Sequence, residues 1–368
     1  MIGTILQSAL FLGIINALLA AVLVLAEKRL VKYGESRITI NQEKEISVQG
    51  GRSLLSTLNR QKIFLPSACG GRGTCSYCKC VVQGGGAILP TEEAVLTDEE
   101  ISRQYRLACQ LKVKSDLTVT IPETLLAIKE YRAEVSEIVD LTYDIKRIRL
   151  RLVEPSSISF VPGQYVQLMN QPYPGVKDVV SRAYSIASIA AEKRSVDLLI
   201  RLVPDGICTT WIHEYLKAGD TVMFTGPMGD FRYHENTGEV ILVAGGSGMA
   251  PMIPLLEEMA NSEVRRRVTY FFGADNSKDL FYTDIVRAFE KRLHRFQYVP
   301  ALSSPEPDLQ WEGETGLITV PLEQHLKTID VQGAQAYLCG SPGMIKACIH
   351  LFNQYGIQNS DIYFDPFA

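Results

Sequence analysis

The sequence predicts a multi-domain chain with one N-terminal transmembrane helix, a small α+β unit, an antiparallel β-barrel and an α/β unit built on a parallel sheet. Three observations predict this order. Residues 1–26 carry no charged side chain. A glycine-rich stretch further on holds three cysteines within ten residues. Beyond it, strand patterns alone give way to strands that alternate with helices. The 368 residues are enough for several domains, each with its own hydrophobic core. The net charge of −4 does not indicate binding to nucleic acid.

The N-terminal segment is predicted to cross a membrane once. The run over 10–26 is apolar on all faces, and residues 1–26 at ~1.5 Å per residue exceed the ~30 Å hydrocarbon layer. The nearest basic residues, Lys28, Arg29 and Lys32, follow this run, which disfavours the alternative of a cleaved secretory signal. The positive-inside rule then predicts that everything downstream lies in the cytoplasm, where structural disulfides are not expected. Residues 1–33 are assigned to this anchor.

Residues 34–122 are predicted to form a compact β-grasp unit. Alternation over 37–40 and 46–48 predicts a hairpin, and Ser53 begins a short helix. The run Thr97-Asp98-Glu99-Glu100 is a capping-box pattern that begins another helix, and 117–121 is a closing strand. The charged stretch 123–129 is expected to be a linker.

Four cysteines define the chemistry of this unit. The first three have the spacing C-x5-C-x2-C, and the fourth follows about thirty residues later: Cys69, Cys75, Cys78 and Cys109. Thiolates so spaced can wrap one face of a [2Fe–2S] cluster while the distant one closes the other side. The intervening glycines, Gly70, Gly71 and Gly73, permit the positive φ angles that such a wrap requires. The alternatives are a structural zinc site, which normally has two cysteine knuckles, and a disulfide pair.

Two further domains follow. Strict alternation over 148–152 and over parts of 166–168 and 196–200, with turn signals at Pro162-Gly163 and Gly226-Pro227, predicts a small antiparallel barrel over residues 131–233. Residues 238–368 are predicted to be a Rossmann-like domain, because strands alternate with helices. Its predicted strands cover 240–243, 268–272 and 336–339. One helix is predicted over 250–259 and another, after the second strand, through Leu293. A third is capped by Ser341, begins at Pro342 and ends just before Gly356.

The barrel contains a motif that resembles the flavin-binding signature of the ferredoxin–NADP reductase superfamily, Arg182-Ala183-Tyr184-Ser185. The resemblance implies bound FAD: Arg182 pairs with the pyrophosphate, Tyr184 packs on the isoalloxazine ring, and Ser185 hydrogen-bonds near flavin N5. A guanidinium fork suits phosphate oxygens. The family also places a Gly-x-x-Ser/Thr segment at a helix start near the pyrophosphate, which makes Thr209 and Thr210 candidates. An ordinary N-cap is the alternative there.

The run Gly245-Gly246-Ser247-Gly248-Met249-Ala250-Pro251 follows a predicted strand and opens a helix. In that context glycines let a dinucleotide phosphate approach a helix N-terminus. The run resembles the G-G-x-G-x-A-P loop of the same superfamily, and a plain tight turn is the alternative. The nucleotide-binding residues that the resemblance implies are Gly245, Gly246, Gly248 and Pro251.

Three more positions complete the implied nucleotide site. Cys339-Gly340 is similar to the Cys-Gly pair beside the nicotinamide in these reductases, although a lone cysteine there would by default be a core residue. Many relatives place a terminal aromatic ring against the flavin, which favours Phe367 over Phe364, with a simply packed terminus as the alternative. After the second strand, Asp275 would repel a 2′-phosphate, so NADH is expected instead of NADPH. The implied catalytic set is Ser185, Cys339 and Phe367.

The order of anchor, ferredoxin, FAD barrel and NAD domain resembles the F subunit of the sodium-translocating NADH:quinone reductases. That family normally carries an insertion before Arg182, and here residues 170–181 are short. The resemblance implies electron flow from NADH to FAD, to [2Fe–2S] and to integral-membrane acceptor proteins and quinone, at a bacterial inner membrane. The anchor has no ionisable residue, so it cannot itself carry sodium. The alternatives are the reductase component of a mono- or dioxygenase, which is usually soluble, and a non-catalytic electron carrier.

Overall fold

The computed structural model describes residue 7 and residues 10–22, 33–305 and 310–366. Over these residues the chain divides into two compact units. The first contains Arg72–Pro122 and the described residues up to Gln61. The second contains Lys62–Gly71 and the chain from Glu123 onward.

Residues 10–22 are helical, and their large apolar side chains are exposed, for example Phe11 at 68% and Leu18 at 61%. Within the described residues, no helix is both long and apolar enough to cross a membrane. The flanking parts of the predicted anchor, including Lys28, Arg29 and Lys32, lie outside the described residues. The transmembrane helix therefore stays a prediction.

From residue 33 onward, the described part of the first unit is a five-stranded sheet with three short helices. The strands are β1 (Glu35–Ile40), β2 (Lys44–Gln49), β3 (Lys79–Gln83), β4 (Tyr105–Leu107) and β5 (Leu117–Thr120). The helices are α1 (Leu54–Arg60), α2 (Pro90–Glu93) and α3 (Asp98–Ser102). The sheet order is β2-β1-β5-β3-β4, with β1 and β5 parallel. This is the predicted ferredoxin-like arrangement.

The local signals of the first unit are confirmed. Ser53 Oγ accepts a hydrogen bond from Ser56 N at 3.2 Å and caps α1. Thr97 Oγ1 accepts from Glu100 N while the Glu100 carboxylate accepts from Thr97 N, which is the reciprocal capping box before α3. Strands β3 and β4 have no comparable local signal in the sequence.

The second unit begins with α4 (Glu123–Leu126), which occupies part of the expected linker. An antiparallel sheet of order β10-β7-β6-β11-β8-β9 follows. Its elements are β6 (Lys129–Asp140), β7 (Ile145–Glu154), β8 (Tyr165–Met169), β9 (Ser181–Ser185), β10 (Ser195–Arg201), α5 (Ile207–Thr210) and β11 (Thr221–Met228). An antiparallel bridge between Ile186, just past β9, and Leu198 in β10 joins the two edges. The predicted barrel is confirmed.

The rest of this unit is a parallel sheet of order β15-β14-β13-β12-β16-β17. Its strands are β12 (Val240–Gly245), β13 (Val268–Ala274), β14 (Phe296–Leu302), β15 (Glu314–Thr315), β16 (Gln335–Gly340) and β17 (Ile362–Pro366). Its helices are α6 (Met249–Asn261), α7 (Thr283–Arg287), α8 (Thr319–Leu326) and α9 (Pro342–Gln354). Leu242 packs into one core and Val243 into another, so both faces of the sheet are covered, as a doubly wound domain requires.

One sequence prediction for this domain was wrong in extent. The helix expected up to Leu293 is only α7 followed by a 3₁₀ turn, Ala288–Lys291. Its apolar positions Val286, Phe289 and Leu293 are buried, as the pattern required. Tyr282, which precedes the helix, has a left-handed conformation with φ of 58°. The C-terminus contains the edge strand β17, for which the sequence analysis predicted no strand.

Candidate functional site

Three of the predicted cluster ligands, Cys75, Cys78 and Cys109, belong to the first unit. Cys78 is buried on the approach to β3, while Cys75 and Cys109 are partly exposed. A hydrogen bond with Cys109, burial and the nearby Cys75 all raise the pKa of the Cys78 thiol. Gln110 Nε2 lies 3.4 Å from Cys109 Sγ. Thiols that oppose one another's ionisation in this way are a donor set suited to a cationic iron centre, which would stabilise the thiolates.

The fourth predicted ligand, Cys69, lies buried in the Lys62–Gly71 segment of the second unit. Ser67 shapes the turn around it: its carbonyl accepts from Gly70 N at 2.9 Å and its Oγ accepts from Gly71 N at 3.0 Å. Gly70, Gly71 and Gly73 have φ angles of 66°, 90° and 81°, as the cluster loop was predicted to require. Over the described part of the chain, no group of three or more His, Cys, Asp or Glu side chains is arranged to hold a metal ion. The four-cysteine ligand set stays a prediction.

A buried ion pair braces the first unit. Glu92 and Arg106 are 0% and 3% exposed, and Arg106 Nη2 lies 2.7 Å from Glu92 Oε2. The same guanidinium donates to the carbonyls of Gly85, Gly86 and Ala87, and Glu92 Oε1 accepts from Leu107 N at 2.9 Å. The pair thus ties the glycine loop before α2 to β4, three residues before Cys109. Motif spacing alone did not reveal this role.

Strand β9 carries the predicted flavin motif. Arg182 Nη1 donates to the Ser181 carbonyl at 2.8 Å. The Tyr184 hydroxyl is buried and makes no hydrogen bond to a nitrogen or oxygen atom of the described residues. The Cys208 thiol is its polar neighbour, and burial, with a smaller effect of that thiol, raises the pKa of Tyr184 well above the ordinary value. Because a thiol is a weak substitute for an oxygen or nitrogen partner, this hydroxyl fits a ligand that would accept from it.

The predicted pyrophosphate helix is the single turn α5, which begins after Gly206. The Thr209 hydroxyl is bonded within the protein, accepting from Val203 N at 3.2 Å and lying 3.2 Å from the Gly206 carbonyl. Thr210 is partly buried. The Thr209 hydroxyl is therefore already engaged by backbone groups of its own loop, and these hydrogen bonds do not involve the Thr210 hydroxyl.

The two nucleotide motifs meet at the ends of β12 and β16. The segment Gly246–Gly248 forms a 3₁₀ turn directly before α6, so the predicted strand–loop–helix context is present, and Pro251 is buried in the first turn of α6. A Cβ on Gly248 would overlap the Cys339 carbonyl, and one on Gly340 would lie 3.4 Å from Gly245 N. The glycines therefore permit a close approach of the loop to Cys339-Gly340.

The structure adds an acid that sequence reasoning missed. Asp365 lies on β17 directly opposite Cys339 on β16, and Ser185 Oγ donates to Asp365 Oδ2 at 3.0 Å. Burial raises the pKa of Asp365 to about 6, against a smaller opposing effect of the Ser185 hydrogen bond. Cys339 is fully buried, and burial, with a smaller effect of Asp365, raises its pKa well above the ordinary value. Ser185 thus hydrogen-bonds to the carboxyl group of the residue that pairs with Cys339 across the sheet.

The remaining predicted positions are Asp275, Phe364 and Phe367. Asp275, just past β13, accepts a hydrogen bond from Ser303 Oγ at 2.7 Å, so its carboxylate is held at the carboxyl end of that strand. Phe364 is 49% exposed, while Phe367 lies outside the described residues.

Family comparisons cover all three modules. Residues 38–114 match the 2Fe-2S iron-sulfur cluster binding domain, residues 132–233 the oxidoreductase FAD-binding domain, and residues 242–350 the oxidoreductase NAD-binding domain. The chain is therefore a three-module oxidoreductase of the flavin and iron–sulfur class, with NADH, FAD and a [2Fe–2S] cluster as its cofactors.

Whole-chain relatives identify the family. The chain is 34% identical to the F subunit of the Na(+)-translocating NADH-quinone reductase of Pseudomonas aeruginosa over 397 residues, 98% of this chain and 97% of the relative. It is 31% identical to that of Neisseria gonorrhoeae over 389 residues, 95% and 96% of the two chains. The chain belongs to this F-subunit family. Since the first alignment is longer than the 368 residues of this chain, the relative contains residues that this chain lacks.

Solved structures with the same modules include reductases of oxygenases. A cytochrome P450 reductase from Amycolatopsis aligns with a TM-score of 0.72 at 27% identity, covering 90% of this chain and 98% of that one. The ferredoxin reductase in carbazole 1,9a-dioxygenase aligns with a TM-score of 0.68 at 25% identity, covering 91% and 98%.

Proposed function

We propose that this chain is the NADH-oxidising input component of a sodium-translocating NADH:quinone reductase, held at a bacterial inner membrane by residues 1–33. Its ferredoxin (34–122), FAD (131–233) and NAD (238–368) domains face the cytoplasm and deliver electrons to integral-membrane acceptor proteins of the complex and finally to quinone. The F-subunit relatives support the complex. The uncharged N-terminus and the exposed apolar side chains of residues 10–22 support the anchor.

The observation that carries the proposal is the junction of Ser185, Asp365 and Cys339. It joins the flavin motif on β9 to the nicotinamide motif on β16 through one hydrogen bond and one register pair. FAD, when bound, supplies the chemistry that takes a hydride from NADH and releases its electrons singly. The junction puts a hydroxyl, a carboxyl with its pKa raised to about 6 and a protonated thiol at the meeting point of the two motifs.

Each chain residue in this proposal has a physical task. Arg182 provides a cation for the FAD pyrophosphate, and Tyr184 offers its buried hydroxyl to the flavin. Ser185 steadies the flavin near N5, with its hydroxyl oriented by Asp365. Cys339 presents a neutral, apolar thiol surface beside the nicotinamide. Phe367 is proposed to cover the flavin until nicotinamide displaces it.

The nucleotide and cluster residues complete the assignment. The dinucleotide phosphates rest on the loop formed by Gly245, Gly246 and Gly248, with Pro251 and Gly340 shaping its surroundings and Thr209 and Thr210 near the FAD pyrophosphate. Asp275, held by Ser303, favours the free 2′-hydroxyl of NADH. The proposed cluster ligands are Cys69, Cys75, Cys78 and Cys109.

The test begins with anaerobically purified full-length chain. It should show flavin and [2Fe–2S] absorbance and reduce ferricyanide with NADH. Failure to do so would favour the alternative of a non-catalytic electron carrier. The chain is then added to membranes that contain the other components of a sodium-translocating quinone reductase but lack its F subunit. Restored NADH-driven quinone reduction supports the proposal. A rate of NADH oxidation that does not change when those membrane components are present contradicts it.

The reductase component of an oxygenase is the second candidate, because the Amycolatopsis and carbazole dioxygenase reductases share all three modules. The hydrophobic N-terminus and the higher identity to the F-subunit relatives oppose it. Transfer of electrons to an oxygenase ferredoxin at a rate that exceeds quinone reduction in the reconstituted membranes would favour this candidate.

A further inference from the structure

The segment that carries Cys69 lies against the two strands that precede and contain the flavin motif. Phe64 packs in one small core with Tyr165 of β8 and Met228 of β11. Ala183 of β9 packs against the same core. The segment Lys62–Gly71 is therefore part of the flavin-binding unit by its packing, even though it is remote from β8 in the sequence.

One buried side chain fixes the turn that contains Cys69. Gln167, on β8, is 5% exposed, and its Nε2 donates to the Ser67 carbonyl at 2.6 Å across a separation of 100 residues. The same carbonyl accepts from Gly70 N at 2.9 Å. Ser67 is itself 5% exposed, so water does not readily replace the Gln167 amide at this carbonyl.

A second contact joins this turn to the flavin motif. A Cβ on Gly70 would overlap the Arg182 guanidinium and lie 3.0 Å from the Ser181 carbonyl, and Gly70 has a φ of 66°. Only glycine combines this left-handed backbone with so close an approach. The residue next to Cys69 thus touches the arginine that is proposed to hold FAD.

We propose that Gln167 is a positioning residue for electron transfer: it holds the Cys69 turn on β8 and β9 and thereby fixes the proposed ligand Cys69 relative to the flavin motif. The inference rests on the proposed roles of Cys69 and Arg182. The step itself moves one electron from the reduced flavin to the oxidised cluster, and no bond to the protein forms or breaks. In this proposal Gln167 acts through its hydrogen bond to the backbone of Ser67, and it takes no part in the transfer itself.

The experiment uses the full-length loaded enzyme and the variant Gln167→Met, which keeps the side-chain length and removes the donor. The matched control is Gln171→Met. Gln171 Nε2 also donates to a backbone carbonyl at 2.6 Å, that of Thr221, elsewhere on the barrel. Rapid mixing with NADH follows flavin reduction and cluster reduction separately, and hydrogen exchange follows the peptide that contains residues 63–71.

Loss of one hydrogen bond should slow cluster reduction by about two- to tenfold. Flavin reduction by NADH should be unchanged, exchange of the 63–71 peptide should accelerate, and Gln171→Met should do neither. Unchanged exchange, or an equal slowing of flavin and cluster reduction, would overturn the inference. If Gln167→Met does not fold, Gln167→Asn, one methylene too short to reach Ser67, is measured in the same way.

These outcomes are separable from failure of the proposed function. If unsubstituted protein binds no flavin or cluster, the proposed function fails. The exchange measurement on residues 63–71 still decides whether Gln167 holds the turn. If the protein is loaded and active but exchange does not respond to Gln167→Met, only the positioning role fails.

Discussion

Tyr184 shows how a single unsatisfied atom can indicate where a ligand binds. Its buried hydroxyl has no nitrogen or oxygen partner among the described residues, only the neighbouring Cys208 thiol, and an unsatisfied hydroxyl costs about 1–3 kcal/mol. We expect Tyr184→Phe to leave the cofactor-free protein equally stable or more stable, because the costly hydroxyl is gone. The same change should weaken FAD binding by about tenfold, the loss of one hydrogen bond of about 1.4 kcal/mol. Thermal melts of cofactor-free protein and FAD titration measure the two effects.

Tyr298 provides the control for this prediction. Its hydroxyl is also buried and also lacks a hydrogen bond of good geometry among the described residues, but it lies on β14 in the NAD domain, near Thr283. Tyr298→Phe should change the stability in the same direction and leave the FAD dissociation constant unchanged. Equal FAD affinity in wild-type protein and Tyr184→Phe would show that the flavin does not use the Tyr184 hydroxyl.

The carboxyl of Asp365 predicts a pH dependence with a definite sign. Burial raises its pKa from 3.8 to about 6, so the folded state binds more protons than the unfolded state between these values. Stability contributed by this group is therefore present at low pH and lost as the pH rises through about 6, with an upper bound of about 3 kcal/mol. Asp365→Asn stays neutral and can still accept from Ser185.

We therefore expect Asp365→Asn to melt at a higher temperature than the wild type at pH 7.5 and at nearly the same temperature at pH 4. Melting curves across this pH range measure the difference. The exposed Asp230 supplies the control, because Asp230→Asn should change the melting temperature little at any pH. A difference between Asp365→Asn and wild type that is largest at pH 4 would contradict the assignment.

Among elements, the approach of the glycine loop to β16 is the critical contact of the nucleotide domain. Gly248 has no room for a Cβ, because the Cys339 carbonyl occupies that position. Gly248→Ala should therefore push α6 and β16 apart, cost about 2 kcal/mol of stability and raise the KM for NADH. Gly343, in the first turn of α9, has nothing within 4 Å of the equivalent position. Gly343→Ala should be neutral or stabilise by up to about 1 kcal/mol, and equal behaviour of the two variants would refute the argument.

Elements with local signals were predictable, and elements that depend on distant partners were not. Ser53, Thr97 and Ser341 cap their helices as the sequence indicated, because an N-cap needs only residues within one turn. The strands β3, β4 and β17 are short, and their pairing partners are what define them. The same limit applies to the site. The motif residues on β9 and in the glycine loop could be proposed through a family resemblance because each motif is a short contiguous run, whereas Asp365 and Gln167 make contacts across 180 and 100 residues.

At the scale of the whole molecule, the order of the modules indicates an electron-transfer reductase. The N-terminal segment is the feature that distinguishes a quinone reductase subunit from the reductase of an oxygenase. The three modules also occur in oxygenase reductases, so the modules themselves do not specify the acceptor. A membrane anchor would restrict the acceptor to proteins at the membrane surface. Whether the chain is found at the membrane therefore discriminates between a membrane acceptor and a soluble oxygenase component.

The anchor can be tested in the full-length chain by a single substitution. Leu18 lies in the helical stretch 10–22 and is 61% exposed, and an arginine at the centre of a membrane span costs about 2.5–3.5 kcal/mol. Leu18→Arg should shift the protein from the membrane fraction to the soluble fraction and lower NADH-driven quinone reduction, while NADH:ferricyanide activity stays the same. Leu317, 68% exposed in the NAD domain, gives the control Leu317→Arg, which should not alter fractionation. Wild-type protein found wholly in the soluble fraction, or full quinone reduction by protein lacking residues 1–33, would show that the N-terminus does not couple this enzyme to its membrane acceptor.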